Sequence, residues 1–598
     1  MTLLAERSSA EGGTGGPHVT NPRRRIVALV LLLAILGVYA WGVVAVHPTN
    51  FFGLFEDDAI YMSSAQALAE GRGYVLESVP GTPPATKYPV LYAWLLSWIW
   101  RYQAQFPANL TYAIAMNAIF GCGYLTVAFL LLRKTGGLGE FEALGVTALC
   151  ALHPVVVYYT ANLLSEMPFA AVSLGAILLA GRVVTGERER VSTVCSGVLA
   201  GFAVLIRVLG VPIAAGLCLA VLLRKGWRVC GLFAASALPF IAIWLWQSPL
   251  GAPSAPPLAD ASACSRVWQT NWLYYLDYLG FWKADVLRNH VFWQMLKQNL
   301  VLLLLQPGSY FVEPAYVRPV ILAVVPAAIL SVAAWRALFW QVQEVRWQPA
   351  RWALAFYLAP LLLWDYPLMS RFLIPFLPLL VACVWLEAKR LSVRIIGSLR
   401  VGELGEERLA AIFLGVTVAA LVLATGRSVW VGRTQISQQS RERAAIGGEK
   451  RQAYQWLREN TSTDSTAVAY EDASLYLYSG LRAMRPVIFA PSGLFRPALL
   501  DTELACLTES ALRLHARYWI IADDDFGWEW EPATSRGRGR EKAYEEVLPL
   551  AFRSSSGRIR IYRLQPLQTG KAVAALPSAV ILSRLNGIPK SRTRGGGE

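Results

Sequence analysis

Charged residues are scarce in this chain of 598 residues, since Asp, Glu, Lys and Arg make up only 16% of it. An ordinary soluble protein carries about a quarter. Hydrophobic residues make up 55%, and the mean hydropathy is +0.41. These values exclude a single soluble globular domain, a disordered chain and a coiled coil. They are typical of a membrane protein that crosses the bilayer several times and carries some water-exposed mass.

Cysteine and histidine are also few, with eight and five residues. The chain has no CxxC and no HxxxH motif, so the sequence does not support a zinc site. Of the cysteines, Cys264 and Cys506 lie clearly in polar regions. A disulfide between them is not favoured, because spacing along the chain does not place two Cα atoms within bonding reach.

The net charge of +15 would suit a nucleic-acid partner. In a membrane protein, however, the excess of Lys and Arg in cytoplasmic loops explains such a surplus more simply. The 22 Trp and 24 Tyr agree with this interpretation, because both rings favour the membrane–water boundary. We therefore expect a lipid bilayer and no nucleic acid among the partners.

Apolar runs long enough to cross a bilayer predict about eleven transmembrane helices. The predicted spans are 26–46, 109–132, 140–159, 162–181, 191–206, 209–223, 229–247, 319–335, 352–365, 372–387 and 409–429. The first run lacks the cleavage site of a signal peptide and is predicted to remain as an anchor. The shorter runs Val90–Trp100 and Val301–Leu305 are interpreted as helices lying in the outer interface.

Charge predicts the orientation of these spans. The segments assigned to the cytoplasm hold 20 Lys and Arg in 81 residues, whereas the outer segments between spans hold 10 in 149. This contrast predicts an integral protein of the plasma (inner) membrane with a cytoplasmic N-terminus. An odd number of spans then places everything after residue 430 outside.

The chain is predicted to divide into four parts. They are a disordered cytoplasmic N-terminus (1–22), a transmembrane domain (23–430), an extracytoplasmic α/β domain (431–565) and a disordered tail (566–598). Within the transmembrane domain, 47–107 is the first outer loop, and 248–318 is a long outer loop with interfacial helices. Short apolar segments at 466–470, 518–522 and 558–562 predict strands of the α/β domain.

The first outer loop contains the motif FEDDAIY at 55–61, with carboxylates at Glu56, Asp57 and Asp58. Asp58 is predicted to cap a helix that runs to about Glu70. Capping alone would account for an aspartate there. The alternative is a general base held at the membrane boundary, working by position because the helix dipole favours the ionised form.

Arg207 and Arg371 are predicted at the same outer boundary. A guanidinium there suits a lipid phosphate, although an arginine extending to the interface from a helix end explains each one equally well. Glu166 is interpreted as a helix cap, a substrate contact or a cation ligand, and His153 as a packed histidine. Asp523–Asp525 would suit a divalent cation.

A carboxylate and an arginine on one boundary suggest a reaction. A sugar carried on a lipid phosphate needs a cation to take up the charge that develops on the leaving phosphate. The acceptor hydroxyl needs a base. Attack from the opposite face of the sugar would invert the anomeric centre.

Four segments carry a resemblance to a known family. They are FEDDAIYMSSAQALAEGRGY (55–74), TKYPVLYAWLL (86–96), LSEMPF (164–169) and RFLIPFLPLL (371–380). In this order they resemble the GT-C superfamily of polyprenyl-phosphate-sugar glycosyltransferases, in particular protein O-mannosyltransferases and lipid A aminoarabinose transferases. The resemblance covers most of residues 25–565. It implies a polytopic α-helical membrane protein of GT-C type with a small extracytoplasmic α/β C-terminal domain.

The resemblance also implies roles for individual residues. Asp57 would be the catalytic base, and Asp58 would support it or contact the acceptor. The donor phosphate would be bound by Arg207, Arg371 and Lys87. The remaining cavity residues would be Tyr61, Tyr88 and Glu166. The family's acidic pair is often Asp-Glu, whereas this chain has Asp-Asp preceded by Glu56.

The expected function is therefore an inverting glycosyltransferase on the outer membrane face, using a polyprenyl-phosphate-sugar donor and a lipid, glycan or protein acceptor. No cofactor is required by the sequence, and a divalent metal is compatible with it. The alternative is a transporter or flippase of lipid-linked sugars, which usually keeps its polar groups near the bilayer midplane. A non-catalytic scaffold is a third interpretation, and it leaves the acidic loop without a purpose.

Overall fold

The computed structural model describes most of the chain. The described residues are 22–46, 52–53, 55–134, 138–248, 262–312, 320–341, 344–398, 441–462, 464–527 and 529–564, with five single positions between 399 and 440. The predicted disordered ends, apart from Pro22, and the predicted span 409–429, apart from Gly415 and Gly426, lie outside the described residues.

The described part up to residue 398 is helical. Its α-helices are α1 (Pro22–Val46), α2 (Asp57–Ala69), α3 (Val90–Tyr102), α4 (Leu110–Lys134), α5 (Glu140–Leu152), α6 (Pro154–Ala161), α7 (Glu166–Thr185), α8 (Glu189–Ile206), α9 (Gly210–Lys225), α10 (Trp227–Gln247), α11 (Ala263–Leu276), α12 (Tyr278–Trp282), α13 (Phe292–Ser309), α14 (Ile321–Arg336), α15 (Gln348–Leu362) and α16 (Leu377–Ser398). A 3₁₀ segment, Ser370–Phe376, leads into α16.

Seven segments of the described chain are long and apolar enough to cross a membrane, and the bent pair α5–α6 makes an eighth. These eight coincide with predicted spans. The helices α9 and α15, with 16 and 15 residues, are shorter than the roughly 20 residues that a span requires. A polytopic helical protein is therefore confirmed, whereas the number of eleven spans is not.

The predicted span 140–159 is broken at His153, where α5 and α6 meet at 52°. The next residue is Pro154, whose ring removes a backbone donor and whose presence disfavours helical geometry in the residue before it. The break turns the start of α6 toward the cavity described below, to which Pro154 and Val155 contribute.

After residue 440 the chain forms an α/β domain around one five-stranded sheet. The strands are β1 (Thr466–Ala469), β2 (Arg482–Met484), β3 (Tyr518–Ala522), β4 (Leu550–Arg553) and β5 (Ile559–Arg563). The helices are α17 (441–460), α18 (Asp472–Ser479), α19 (Ser492–Phe495), α20 (Ala498–Ala505), α21 (Leu507–Arg513) and α22 (Glu531–Glu545). The small C-terminal sheet is thereby confirmed.

The strand order is β2-β1-β3-β5-β4. Strand β1 runs parallel to β2 and β3, and β5 runs antiparallel to β3 and β4. The side chains of Ala467, Ile520 and Ile561 are buried together in the sheet's core. Three parallel strands therefore end at one edge, where loops commonly form binding sites in open α/β sheets.

The α/β domain rests on the two segments predicted as outer loops. Arg482 pairs with Glu77 at 2.7 Å, and the Tyr275 hydroxyl donates to Asp472 at 2.6 Å. The backbone N–H of Ser492 donates to Asp285 at 3.0 Å. The structure thus brings residues from 47–107, 248–318 and 431–565 together on one side of the helical part.

Cys264 and Cys506 form a disulfide, with their Cα atoms 5.1 Å apart. The sequence did not favour this bond, because spacing alone does not place the Cα atoms of two cysteines 242 positions apart within reach. The fold closes that distance by packing α11 against α20 and α21. The bond joins the second outer segment to the α/β domain.

We expect the double change Cys264→Ser/Cys506→Ser to lower the melting temperature. Opening so long a loop removes stabilisation of up to about 5 kcal/mol in the chain-entropy model. Thermal melting of the detergent-solubilised protein measures the loss, and Cys195→Ser, an exposed free thiol, serves as the control. An unchanged melting temperature in the double variant would mean that the bond adds no stability.

Candidate active site

A cavity of about 900 Å³ lies between the helical part and the α/β domain. Its helical side is formed by the start of α2, the α8–α9 turn and the segment that joins α15 to Arg371. The opposite side comes from the loops after β1 and β2 and from Glu529. The cavity therefore faces the edge at which the parallel strands end.

Asp57, the first residue of α2, extends its carboxylate into this cavity. The Tyr88 hydroxyl donates a hydrogen bond of 2.6 Å to Asp57 Oδ1. Arg371 Nη1 lies 3.6 Å from Oδ2. The side chain is 22% exposed. The carboxylate is thus oriented by two partners and still open to a ligand.

Asp58 differs from its expected place, because its side chain is only 1% exposed and does not line the cavity. Its Oδ1 accepts the N–H of Ala59 at 2.9 Å. The capping position belongs to Glu56, which has a φ of 60°, so the helix begins one residue before Asp58. Successive residues of a helix project about 100° apart. The two neighbouring aspartates therefore point in different directions, and only Asp57 can reach a substrate in the cavity.

Burial raises the pKa of the Asp58 carboxyl to about 7, opposed by the charge of Arg443. The folded protein therefore holds this proton more tightly than the unfolded chain, and the stability contributed falls as pH rises from about 4 to about 7. We expect Asp58→Asn, which cannot ionise, to gain stability over the wild type at pH 8, on the order of a few kcal/mol, and to gain less at pH 5.

Thermal melting at the two pH values tests this expectation. Glu70→Gln, a change at the half-exposed end of the same helix, is the control and should show no pH-dependent gain. Equal shifts of Asp58→Asn at pH 5 and pH 8 would contradict the argument.

Arg207, Glu166 and Arg371 form one ion cluster. Glu166 Oε1 lies 2.8 Å from Arg207 Nη1 and 3.6 Å from Arg371 Nη1. Both arginines line the cavity, whereas Glu166 was expected in its wall and instead lies buried behind them, 3% exposed. The cluster thus places two guanidinium groups at the cavity wall, with the buried Glu166 carboxylate on one side and the partly exposed Asp57 carboxylate on the other.

Tyrosine rings form the wall beside Asp57. Tyr61 packs edge-on against Tyr88 and Tyr92, with ring centroids 5.1 and 4.9 Å apart. The Ser165 hydroxyl lies 3.2 Å from the Tyr61 hydroxyl and accepts from Arg207 at 3.0 Å. Tyr61 thus connects the acidic motif to the arginine cluster, and both predicted tyrosines line the cavity.

Lys87 also lines the cavity, with its ammonium 3.5 Å from the centroid of the Tyr274 ring. Burial lowers the pKa of Lys87, while the nearby carboxylates of Glu56 and Asp57 oppose that shift. The structure therefore brings Asp57, Tyr61, Tyr88, Lys87 and both arginines to one cavity.

Arg485 is a site residue that the sequence did not single out. It follows strand β2, lines the cavity and pairs with Glu56 Oε2 at 2.6 Å. The Tyr274 hydroxyl donates to the same oxygen at 3.2 Å. The three-residue strand β2 was not predicted, so nothing marked Arg485 as the first residue beyond a parallel strand. Through Glu56, the α/β domain fixes the turn that orients Asp57.

We expect Arg485→Met to destabilise the protein by about 3–5 kcal/mol, because it leaves the Glu56 carboxylate buried without its cation. The double variant Glu56→Gln/Arg485→Met should recover most of that loss. Denaturation of the wild type, the two single variants and the double variant gives the coupling energy between Glu56 and Arg485. Arg482→Met is the matched control, since its partner Glu77 keeps Arg72 at 3.2 Å. Strictly additive losses would argue against the pair.

Two other candidates have structural partners. The buried His153 ring bonds through Nε2 to the Tyr310 carbonyl at 2.9 Å, and its Nδ1 accepts from Val155. The three aspartates of the acidic run have separate partners. Asp523 pairs with Arg560 and Asp524 pairs with Lys450, whereas Asp525 accepts a hydrogen bond from the Ala522 N–H. Across the described part of the chain, no three His, Cys, Asp or Glu side chains form a cation site.

One solved structure with a TM-score above 0.5 shares this fold. ArnT from Cupriavidus metallidurans, solved with bound undecaprenyl phosphate, aligns with a TM-score of 0.51 at 13% identity, covering 90% of this chain and 98% of that one. The archaeal oligosaccharyltransferase AglB from Archaeoglobus fulgidus was solved with an inhibitory peptide and a dolichol-phosphate. It aligns with a TM-score of 0.48 at 13% identity, covering 88% of this chain and 74% of that one. No protein-family model matches the sequence, and no curated protein does. Identity this low shows the fold alone.

Proposed function

Because this integral membrane protein has the fold of a GT-C superfamily member, we propose that it is an inverting glycosyltransferase. Its donor is a sugar on a polyprenyl phosphate, and its acceptor is a lipid, a glycan or a protein. The proposal rests mainly on the Asp57 carboxylate, which is open to the cavity and lies 3.6 Å from Arg371. The proposed base and the proposed phosphate-binding cation are therefore close enough to contact the same bound substrate.

The proposed reaction uses groups of this chain alone. The Asp57 carboxylate accepts the proton of the acceptor hydroxyl, whose oxygen attacks the anomeric carbon. The bond from that carbon to the phosphate oxygen breaks, and its electron pair stays on the phosphate. The phosphate gains one negative charge, which Arg207 and Arg371 stabilise through charge-assisted hydrogen bonds. The products are a glycoside and the polyprenyl phosphate.

We propose that the cavity opens to the extracytoplasmic side. The disulfide between Cys264 and Cys506 supports this side, because such bonds persist in oxidising compartments. The excess of Lys and Arg in the opposite segments supports it as well. Residues 23–430 then form the transmembrane catalytic domain, and 431–565 form a domain that completes its active site.

The test is a transfer assay with the full chain in nanodiscs. The donors are radiolabelled undecaprenyl phosphates carrying mannose, glucose, galactose or arabinose, and a membrane extract supplies acceptors. We expect label to pass from one donor to a new product. A parallel reaction with EDTA reports whether a divalent metal is needed.

The alternative of a flippase makes a different prediction. It moves the intact donor across a liposome membrane and leaves the bond between sugar and phosphate whole. Flipping without transfer or donor hydrolysis would overturn the proposed function in favour of transport.

A further inference from the structure

Beyond Arg371 the cavity wall continues as an aromatic arm, formed by Tyr274, Tyr278, Trp282 and Trp364. The Arg371 guanidinium lies 5.5 Å from the centroid of the Phe372 ring, and that ring contacts Trp364 at 5.1 Å. The aromatic arm therefore begins next to the proposed phosphate contact.

Asp365 lies in this arm with its side chain 3% exposed. Its Oδ1 accepts from the Tyr278 hydroxyl at 2.5 Å and from the Tyr366 N–H at 3.0 Å. Its Oδ2 is buried and has no hydrogen-bond partner among the described residues. Buried polar atoms are nearly always hydrogen-bonded, so this oxygen points to a donor that arrives with a ligand.

The carboxylate is held rigidly. Asn299 Nδ2 donates to the carbonyls of Leu362 and Trp364 at 3.2 and 2.6 Å, which fixes the backbone on both sides of Leu363. The Tyr278 ring stacks on Trp364 with centroids 5.3 Å apart. Tyr278 thus orients Asp365 and packs the neighbouring ring, so the geometry exists before any ligand binds.

The chemistry of the ligand follows from these groups. A lipid phosphodiester offers hydrogen-bond acceptors, and its hydrocarbon tail offers neither donors nor acceptors. A sugar ring offers hydroxyl or amino donors for a carboxylate and C–H faces for aromatic rings. In a lipid-phosphate sugar, the ring is bonded directly to the phosphate, which would place it in the aromatic arm beside Arg371.

We propose that Asp365, with Tyr278 and Trp364, is the subsite that binds the sugar ring of the donor. Lys87 lies between this subsite and the base, with its ammonium 5.4 Å from the Tyr278 centroid. This inference rests on the proposed function and adds to it the residues that select the sugar.

The test measures how tightly the wild type and Asp365→Asn, each in nanodiscs, bind two lipids. One is undecaprenyl phosphate, and the other is the sugar-bearing donor from the panel that the wild type turns over fastest. At pH 8, above the pKa of about 7 to which burial raises the Asp365 carboxyl, we expect the variant to bind the sugar-bearing donor about 10- to 100-fold more weakly, since a charged acceptor is lost, and undecaprenyl phosphate within about twofold of wild type. Arg371→Ala should weaken both lipids.

Two further variants keep the test decisive. Tyr278→Phe retains the ring and removes the hydroxyl that orients Asp365, and it should show a smaller loss for the sugar-bearing donor alone. Asp525→Asn changes a buried aspartate outside the cavity wall and should leave the ratio of the two affinities unchanged.

Equal binding of the sugar-bearing donor by wild type and Asp365→Asn would overturn the inference, as would an equal loss for both lipids. A rise confined to the acceptor KM would assign Asp365 to the acceptor and overturn it too. Failure of the wild type to bind either lipid would instead refute the proposed function, and the inference with it.

Discussion

Asp57→Asn is expected to lower the transfer rate by about 10²- to 10⁴-fold, the range that a positioned general base contributes. The amide keeps the size of the carboxylate and can still accept the Tyr88 hydrogen bond, so the cavity should keep its shape. It cannot take up the acceptor's proton. The measurement is the initial rate of label transfer from the preferred donor, with folding checked by melting temperature and gel-filtration profile.

Two variants define what that loss means. Glu70→Gln removes a carboxylate from the other end of the same helical segment, away from the cavity, and should keep the wild-type rate. Asp58→Asn should retain far more activity than Asp57→Asn, because Asp58 is buried and does not line the cavity. Wild-type transfer by Asp57→Asn, or a deeper loss in Asp58→Asn, would move the base away from Asp57.

Arg371→Ala is expected to lower kcat/KM for the donor by about 10- to 100-fold, with little change in the KM of the acceptor. A hydrogen bond to a charged group contributes about 1.5–3 kcal/mol, and the leaving phosphate gains charge in the transition state. Arg371→Lys should recover only part of the loss, because an ammonium cannot form the paired contacts of a guanidinium. Steady-state kinetics with each substrate varied separately measure the effect.

Arg101→Ala is the matched control for charge, since Arg101 contacts the Trp98 ring at the exposed end of α3. It should keep the wild-type donor kinetics. An unchanged donor KM and kcat in Arg371→Ala would mean that this arginine merely extends from its helix end to the interface.

Hydrophobic runs and the low content of charge were enough to predict a polytopic helical protein, because burial in a bilayer imposes a composition that local sequence records. The acidic motif at 55–61 and the arginines at 207 and 371 were also predictable as boundary groups, since each lies near the end of an apolar run. The strands at 466–470, 518–522 and 558–562 had enough β-branched and aromatic residues to be recognised.

Only the tertiary structure decided which of these groups meet. It places Asp57 in the cavity wall and buries its neighbour Asp58. It also buries Glu166 behind the two arginines instead of in the cavity wall. It brings Arg485 to Glu56 across 428 intervening residues and joins Cys264 to Cys506. It places an Asp365 oxygen that is unpaired among the described residues in an aromatic wall, which no sequence pattern predicted. Such pairings depend on long-range packing, which the local pattern of a single sequence does not encode.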